Sequence, residues 1–509
     1  MSPLLRRWAG PALTFLLFAA AFTALHRGGG GLTDRAGYYH ARLAAMLPER
    51  GLSRGFPWTQ ASPWKERFCD KEFLYHALMS PFARGPEPLR GALLFSALLS
   101  AAVFAGFHLL LRSAGAPAPW AFTLLLAGAA GPFLLRVSFV RPHVLAILIV
   151  LGGLRALLKG ELTLLFALAF LLSWSYSFPP ILPALVLAFM AGKRLSGEAA
   201  DPRLLGAAAG GVLAGLVVHP YSPLTLESLA TYFQVVRIAA LERSLAAVEV
   251  GRELAPYSTR GFLQLHGPMT FLLAGLGLAG WATPRRLSGE ALGVLTAAWA
   301  AFLGTWVFPR FVEYSAPLSV LAAALAARDL TAGETRTRIG AFARQRAAGF
   351  AVLAAGVMTL LLGTVLLSAA YAVTVGGRND PPRFRGAAHW MAENLKEGET
   401  VVPLWWDDFP ELFYDGPRQH YLVGLDPTYM LRWDAKNALR LEAMRTGRAP
   451  LDPAWLAATF AARVMVLRAP LTRYYPQLDW RLWQPVYADE YAAVYALTGD
   501  QGPKAPAAK

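Results

Sequence analysis

The chain has 509 residues, of which 55% are hydrophobic and only 16% charged, and its mean hydropathy is positive. Soluble domains carry roughly 25% charged residues, whereas apolar runs of about 17–25 residues, the length that crosses a bilayer core, recur along most of this chain; an ordinary soluble protein is excluded. The net charge of +15 does not argue for a nucleic-acid partner, because much of the Arg and Lys falls in short loops between apolar runs, where it fixes orientation.

In chain order, Arg6 and Arg7 precede the apolar run 8–25. That run is long for a signal peptide and reads as an uncleaved first span. The next apolar run is 91–111, and the connector at 34–82 is rich in charge, histidine and aromatic rings. A connector of that length is functional or disordered, and its Trp, Tyr and Phe content argues for order. Further spans are expected at 120–135, 144–158, 162–176, 178–192, 204–218, 268–281, 291–308, 312–327 and 350–373, about eleven in all. Ser173–Pro180 reads as a turn between two spans or a break in one, since Pro179 and Pro180 disrupt helix in either case.

With the N-terminus inside, Arg112, Arg155, Lys159, Lys193, Arg194, Arg203, Arg285, Arg286 and the 328–346 arginine cluster all fall on the inner side. This is the pattern of the positive-inside rule. The outer side then receives residues 26–90, a second loop at 219–267 and everything after the last span. Within that second loop, 225–250 has apolar residues at three- and four-residue spacing, an amphipathic helix. It either packs on the ends of the spans or lies in the interface near a lipid substrate. Short strand-like runs alternating with helical ones follow at 400–406, 420–425, 462–468 and 491–497, the pattern of a small α/β unit. The expected architecture is an all-α polytopic membrane domain at 1–374, a small extracytoplasmic α/β domain at 375–500, and a disordered tail at 501–509.

Several polar residues can carry chemistry. Asp34 stands just beyond the first span, where a carboxylate can act as a general base or bind a metal; it is equally placed to cap the helix that begins there. His40 and Arg42 follow on the next turns. Asp70 and Glu72, with Lys71 and His76, cluster before the second span and can cap, pair or chelate a divalent ion. No second ligand set accompanies them, so no metal or other cofactor is assigned. FPW at Phe56–Trp58 suits an interface anchor or a platform for a sugar ring. Arg136, Arg141 and His143 share one short outer loop, and Arg310 and Glu313 another. Ionisable groups at such depth are functional candidates by default, and the planar fork of arginine suits a phosphate. Pairing within the protein is the competing explanation. His219 opens the second outer loop.

Placed together, the acidic D34-x-x-x-Y-Y-H-A-R segment with F56PW, the eleven or so spans and the outer C-terminal unit resemble the GT-C class of membrane glycosyltransferases. The resemblance covers nearly the whole chain. Two departures stand out: Arg35 and Ala36 follow Asp34 where many relatives have a DxD-type pair, and W405WDDFPELF lacks the Tyr-Gly of the oligosaccharyltransferase WWDYG motif. Trp406–Pro410 and Gly424–Pro427 instead match bacterial relatives with a WDDFP…GLDP tail domain. The resemblance implies a multi-pass enzyme of the bacterial inner membrane that moves a sugar from a polyprenyl-phosphate or diphosphate donor to a glycan, lipid or protein acceptor on the outer face. Asp34 would be the general base, with His40, Arg42, Asp70, Glu72, Arg141, His143, His219, Arg310 and Glu313 around the substrates. A transporter or flippase for a lipid-linked saccharide and a non-catalytic envelope scaffold are the alternatives.

Overall fold

A computed structural model describes residues 3–27, 32, 34–241, 255–282, 287–332, 334–376, 382–476 and 485–497. Helices α1 (Pro3–Arg27), α2 (Ala36–Arg50), α3 (Phe73–Met79), α4 (Pro88–Ser113), α5 (Pro119–Ala129), α6 (Gly131–Val137), α7 (His143–Lys159) and α8 (Leu162–Ser175) come first. They are followed by α9 (Ile181–Leu195), α10 (Pro202–Val218), α11 (Leu224–Leu241), α12 (Thr259–Ala282), α13 (Gly289–Val307), α14 (Val312–Leu330), α15 (Glu334–Gln345) and α16 (Ala347–Gly376). Local chemistry sets several starts: Pro202 and Pro88 occupy first-turn positions where a missing N–H costs nothing, and Asp201 and Ser288 accept from Arg203 and Ala291 backbone N–H groups.

Helix occupies each of the eleven apolar runs, but only five of the described helices are long and apolar enough to cross a membrane on their own. These are α1, α4, α12, α13 and α16. The clearest is α16, whose Leu360, Leu366 and Leu367 are about 70% exposed, an apolar surface that water does not tolerate at this size. The span expected at 120–135 is a bent pair of helices and not one continuous helix. There α5 and α6 meet at 94°, because extended Ala130 and the Gly131–Pro132 step interrupt the hydrogen-bond ladder. Ser173–Pro180 resolves as a turn between two helices, with α8 ending inside it at Ser175 and α9 starting after Pro180. Of the amphipathic stretch at 225–250, α11 covers the first part; the remainder, and the tail at 501–509, lie outside the described residues.

After α16 come α17 (Arg385–Asn394), strand β1 (Thr400–Pro403), α18 (Phe409–Asp415), β2 (His420–Tyr421), α19 (Pro427–Trp433), α20 (Ala435–Arg445), α21 (Pro453–Phe460), β3 (Ala462–Arg468), α22 (Leu471–Tyr474), β4 (Tyr487–Ala488) and β5 (Ala492–Ala496). The sheet runs β2-β1-β3-β5-β4, parallel across β2, β1 and β3 and antiparallel across β3, β5 and β4. Its edge at β2 is not open. Trp58, Gln60 and Ala61 of the 34–82 connector pair with Tyr421 and Leu422 through backbone hydrogen bonds of 2.8–2.9 Å, so the connector covers an edge that would otherwise template aggregation.

A shared core cements that contact. Phe56, Trp58, Trp64 and Phe68 pack with Phe409, Phe413 and Tyr421, and the Trp58 and Phe413 rings meet edge-on at 4.9 Å. Phe56 and Trp58 are therefore core residues, with no ring face left open for a sugar or the membrane interface. The same core explains why WDDFP and GLDP occur together. The Phe409 ring lies against the Cα of Gly424, and a Cβ there would overlap its ring carbons. Gly424→Ala is expected to cost about 1–3 kcal/mol by overpacking, read as an earlier unfolding transition of the detergent-solubilised protein.

Candidate active site at the 34–82 connector

Asp34 lies at the foot of α2, and its carboxylate faces Arg141, which follows α6 and precedes α7. Arg141 Nη2 donates to Asp34 Oδ1 at 2.6 Å, and Arg141 Nε contacts Asp34 Oδ2. The fork is thus bidentate, the strong form of this interaction, and the Asp34 side chain is only 10% exposed. Helix capping is marginal by comparison: the Ala36 N–H reaches Asp34 Oδ1 at 3.4 Å. The next residue, Arg35, turns the other way and pairs with Glu411 of α18, a fully buried carboxylate that also accepts from the Phe384 N–H at 3.1 Å and from the Arg383 N–H. Sequence reading missed Glu411 because its partner lies 376 residues away.

A second cluster lies where α6, α8 and α14 converge. Arg136 Nε donates to Glu313 Oε1 at 2.7 Å, and Glu313 is fully buried. Tyr176 Oη lies 3.5 Å from Glu313 Oε2. His143 Nε2 lies 2.8 Å from the Arg136 carbonyl oxygen and 3.9 Å from Glu313. Arg310, in the turn before α14, is within electrostatic reach of Glu313. Pairing a buried charge in this way offsets a desolvation penalty of several kcal/mol. Arg136, noted in the sequence as part of the short outer loop but not placed around the substrates, is the residue that neutralises Glu313.

Asp70 and Glu72 are engaged separately. His76 Nδ1 lies 2.9 Å from both Asp70 carboxylate oxygens, and His76 Nε2 lies 2.9 Å from His40 Nδ1, the two rings stacked at 5.1 Å. Glu72 accepts from the Ser177 hydroxyl. Burial opposes a charged His76, yet the Asp70 carboxylate, its hydrogen bond and Glu72 together hold the imidazole above its ordinary value. Burial and the neighbouring His76 push His40 well below its own. Among the described residues no group of three His, Cys, Asp or Glu side chains is arranged to hold a metal.

Two candidates fall elsewhere. Arg42 donates from Nε to the Tyr414 carbonyl oxygen at 3.0 Å and lies over the Tyr414 ring at 5.0 Å. It fastens α2 to α18 and is not brought to Asp34. His219 sits in an aromatic surround of Trp174, Phe73 and Tyr221, its Nδ1 accepting from the Tyr221 N–H at 3.1 Å.

No protein-family model matches the sequence, and no curated protein matches it. Solved structures do. The oligosaccharyltransferase of Archaeoglobus fulgidus in its apo form superposes with a TM-score of 0.66 at 16% identity, over 92% of this chain and 71% of that one. The chain has the GT-C fold. The same enzyme tethered to an acceptor peptide containing the NVT sequon gives 0.65 at 16% identity, over 94% and 71%. ArnT from Cupriavidus metallidurans bound to undecaprenyl phosphate gives 0.56 at 16% identity, over 96% and 98%. At 16% identity the GT-C likeness is one of fold, and chemistry has to be argued from the residues.

Proposed function

We propose that the chain is an integral membrane glycosyltransferase that moves a sugar from a polyprenyl-phosphate or diphosphate donor to an acceptor at the outer face of a bacterial inner membrane. The observation that carries this reading is the Asp34–Arg141 pair, a carboxylate and a phosphate-sized cationic fork held together at the foot of α2 in a chain of GT-C fold. The N-terminus is inside, about eleven helical segments cross or dip into the bilayer, and the unit at 375–500 lies outside. The shared core of the 34–82 connector and that unit supports a common side for both.

In the proposed reaction the acceptor hydroxyl oxygen attacks the anomeric carbon. Its proton passes to the Asp34 carboxylate as the new C–O bond forms, and the bond from carbon to the phosphate oxygen breaks. Arg141 meets the departing phosphate: the two donors that now fork onto Asp34 match two phosphate oxygens equally well. Donor binding therefore draws Arg141 from Asp34 and frees the base only when substrate is present. Arg310 and His143, beside the neutralised Arg136–Glu313 pair, stand in the second rank for that phosphate.

The test uses purified protein in nanodiscs and undecaprenyl phosphate as probe. Arg141→Gln removes one charge-assisted contact of about 1.5–3 kcal/mol, which weakens undecaprenyl phosphate binding by roughly 10- to 100-fold. Unchanged binding would remove Arg141 from the phosphate site.

A further inference from the structure

Three side chains of the 34–82 connector form a buried line that the reaction above leaves unused. Asp70, His76 and His40 are 3%, 0% and 7% exposed, and each contact along the line is 2.9 Å. Tyr39 and Tyr75 present ring edges to both imidazoles and seal the sides. The charged groups facing His76 are Asp70 and Glu72; those facing His40 are His76, Arg141, His143 and Lys71.

The two 2.9 Å contacts allow either direction, and the protonation state of His76 sets which one holds. An imidazolium at His76 donates from Nδ1 to Asp70 and from Nε2 to His40. His40 Nδ1 must then accept, so the proton of neutral His40 sits on Nε2. That nitrogen has no hydrogen-bond partner among the described residues, and it is not sealed off as the ring nitrogens of His266 are. Arg141, which forks onto Asp34, is also among the charged groups that act on the His40 ring. With His76 protonated, the free end is an N–H on a ring that lies within the electrostatic reach of Arg141, the residue assigned to the phosphate.

We propose that Asp70, His76 and His40 form a proton relay ending at His40 Nε2, which acts as the general acid for the leaving phosphate. The inference rests on the transfer reading above and deepens it by giving the departing group its own proton source. As the bond from the anomeric carbon to the phosphate oxygen breaks, the His40 Nε2 proton passes to a phosphate oxygen. His40 Nδ1 takes the proton from His76 Nε2, and His76 is left neutral with its Nδ1–H still on Asp70. Solvent returns one proton to close the cycle, while the acceptor's proton goes separately to Asp34. His40 is the catalytic residue of the three; His76 and Asp70 act through it.

The relay works only while His76 is protonated, so transfer from undecaprenyl-phosphate hexose falls as pH rises through the His76 value, which Asp70 and Glu72 raise above that of a free imidazole. His40→Gln and His76→Gln are expected to lower the rate by about 10²-fold at neutral pH and to abolish this alkaline fall. Nitrogen-15 NMR of histidine-labelled, unaltered protein supplies a readout that needs neither a variant nor turnover: His76 doubly protonated and His40 as the Nε2–H tautomer at pH 7. A His40 Nδ1–H tautomer, or an unchanged pH profile in folded His76→Gln, overturns the relay and leaves the Asp34 reading standing. Failure of the unaltered protein to transfer from any polyprenyl-linked donor removes both.

Discussion

Glu411→Ala should unfold the protein earlier and, in whatever remains folded, cut sugar transfer. The carboxylate is fully buried and accepts from the Arg35 guanidinium and from the Arg383 and Phe384 backbone N–H groups. Truncation leaves that guanidinium without its carboxylate in the interior, a change that costs about 3–5 kcal/mol. Glu411→Gln keeps an acceptor oxygen and should cost about 1–3 kcal/mol. The functional consequence follows from chain connectivity. Arg35 is bonded to Asp34, so releasing one lets the other drift, and a misplacement of about 1 Å at a reacting group costs roughly 10²-fold in rate. Thermal unfolding and the transfer rate are measured on the same preparation. A folded Glu411→Ala protein with an unchanged rate would show that α18 does not position the base.

Asp34→Asn should have the larger catalytic effect and the smaller structural one. Asparagine preserves the size of the side chain and its oxygen toward Arg141, so stability should fall by about 1–3 kcal/mol, as for Glu411→Gln. The amide cannot take the acceptor's proton, and loss of a positioned general base costs about 10²–10⁴-fold. Donor binding should be retained, because Arg141 is relieved of its competing carboxylate. Lost turnover with retained binding of undecaprenyl phosphate is the signature that separates a missing base from a damaged fold.

Much of the membrane part was legible because apolar composition over a bilayer's length is a strong one-dimensional signal. Helix fell on every expected run. The bend at Gly131–Pro132 was written in the sequence too, but a hydropathy window averages across it. The tail unit was legible as alternating strands and helices; its strand β4 was not, being two residues long and defined only by its pairing with β5. Site residues divided along the same line. Asp34 and Arg141 announced themselves as charges at the ends of apolar runs. The 2.9 Å contact of His40 with His76 joins residues 36 apart on different helices, a proximity that no local pattern encodes. Aromatic content misled in one respect: Phe56 and Trp58 read as a surface platform because their partners, Phe409 and Phe413, lie some 350 residues downstream in the sequence. Arg42 sits on the helix that Asp34 precedes, yet its direction was set by Tyr414, again a partner from the far end of the chain.

Asp34 as the base for glycosyl transfer from a polyprenyl-linked donor can be tested in a single assay. The most direct measurement places unaltered protein and Asp34→Asn in matched nanodiscs with undecaprenyl-phosphate hexose labelled in the sugar. Membrane extract supplies the acceptor, and mass spectrometry follows release of undecaprenyl phosphate and transfer of label. The expected result is release and transfer by the unaltered protein, and a loss of at least about 10²-fold in the variant. Transfer by Asp34→Asn at the unaltered rate would contradict the account.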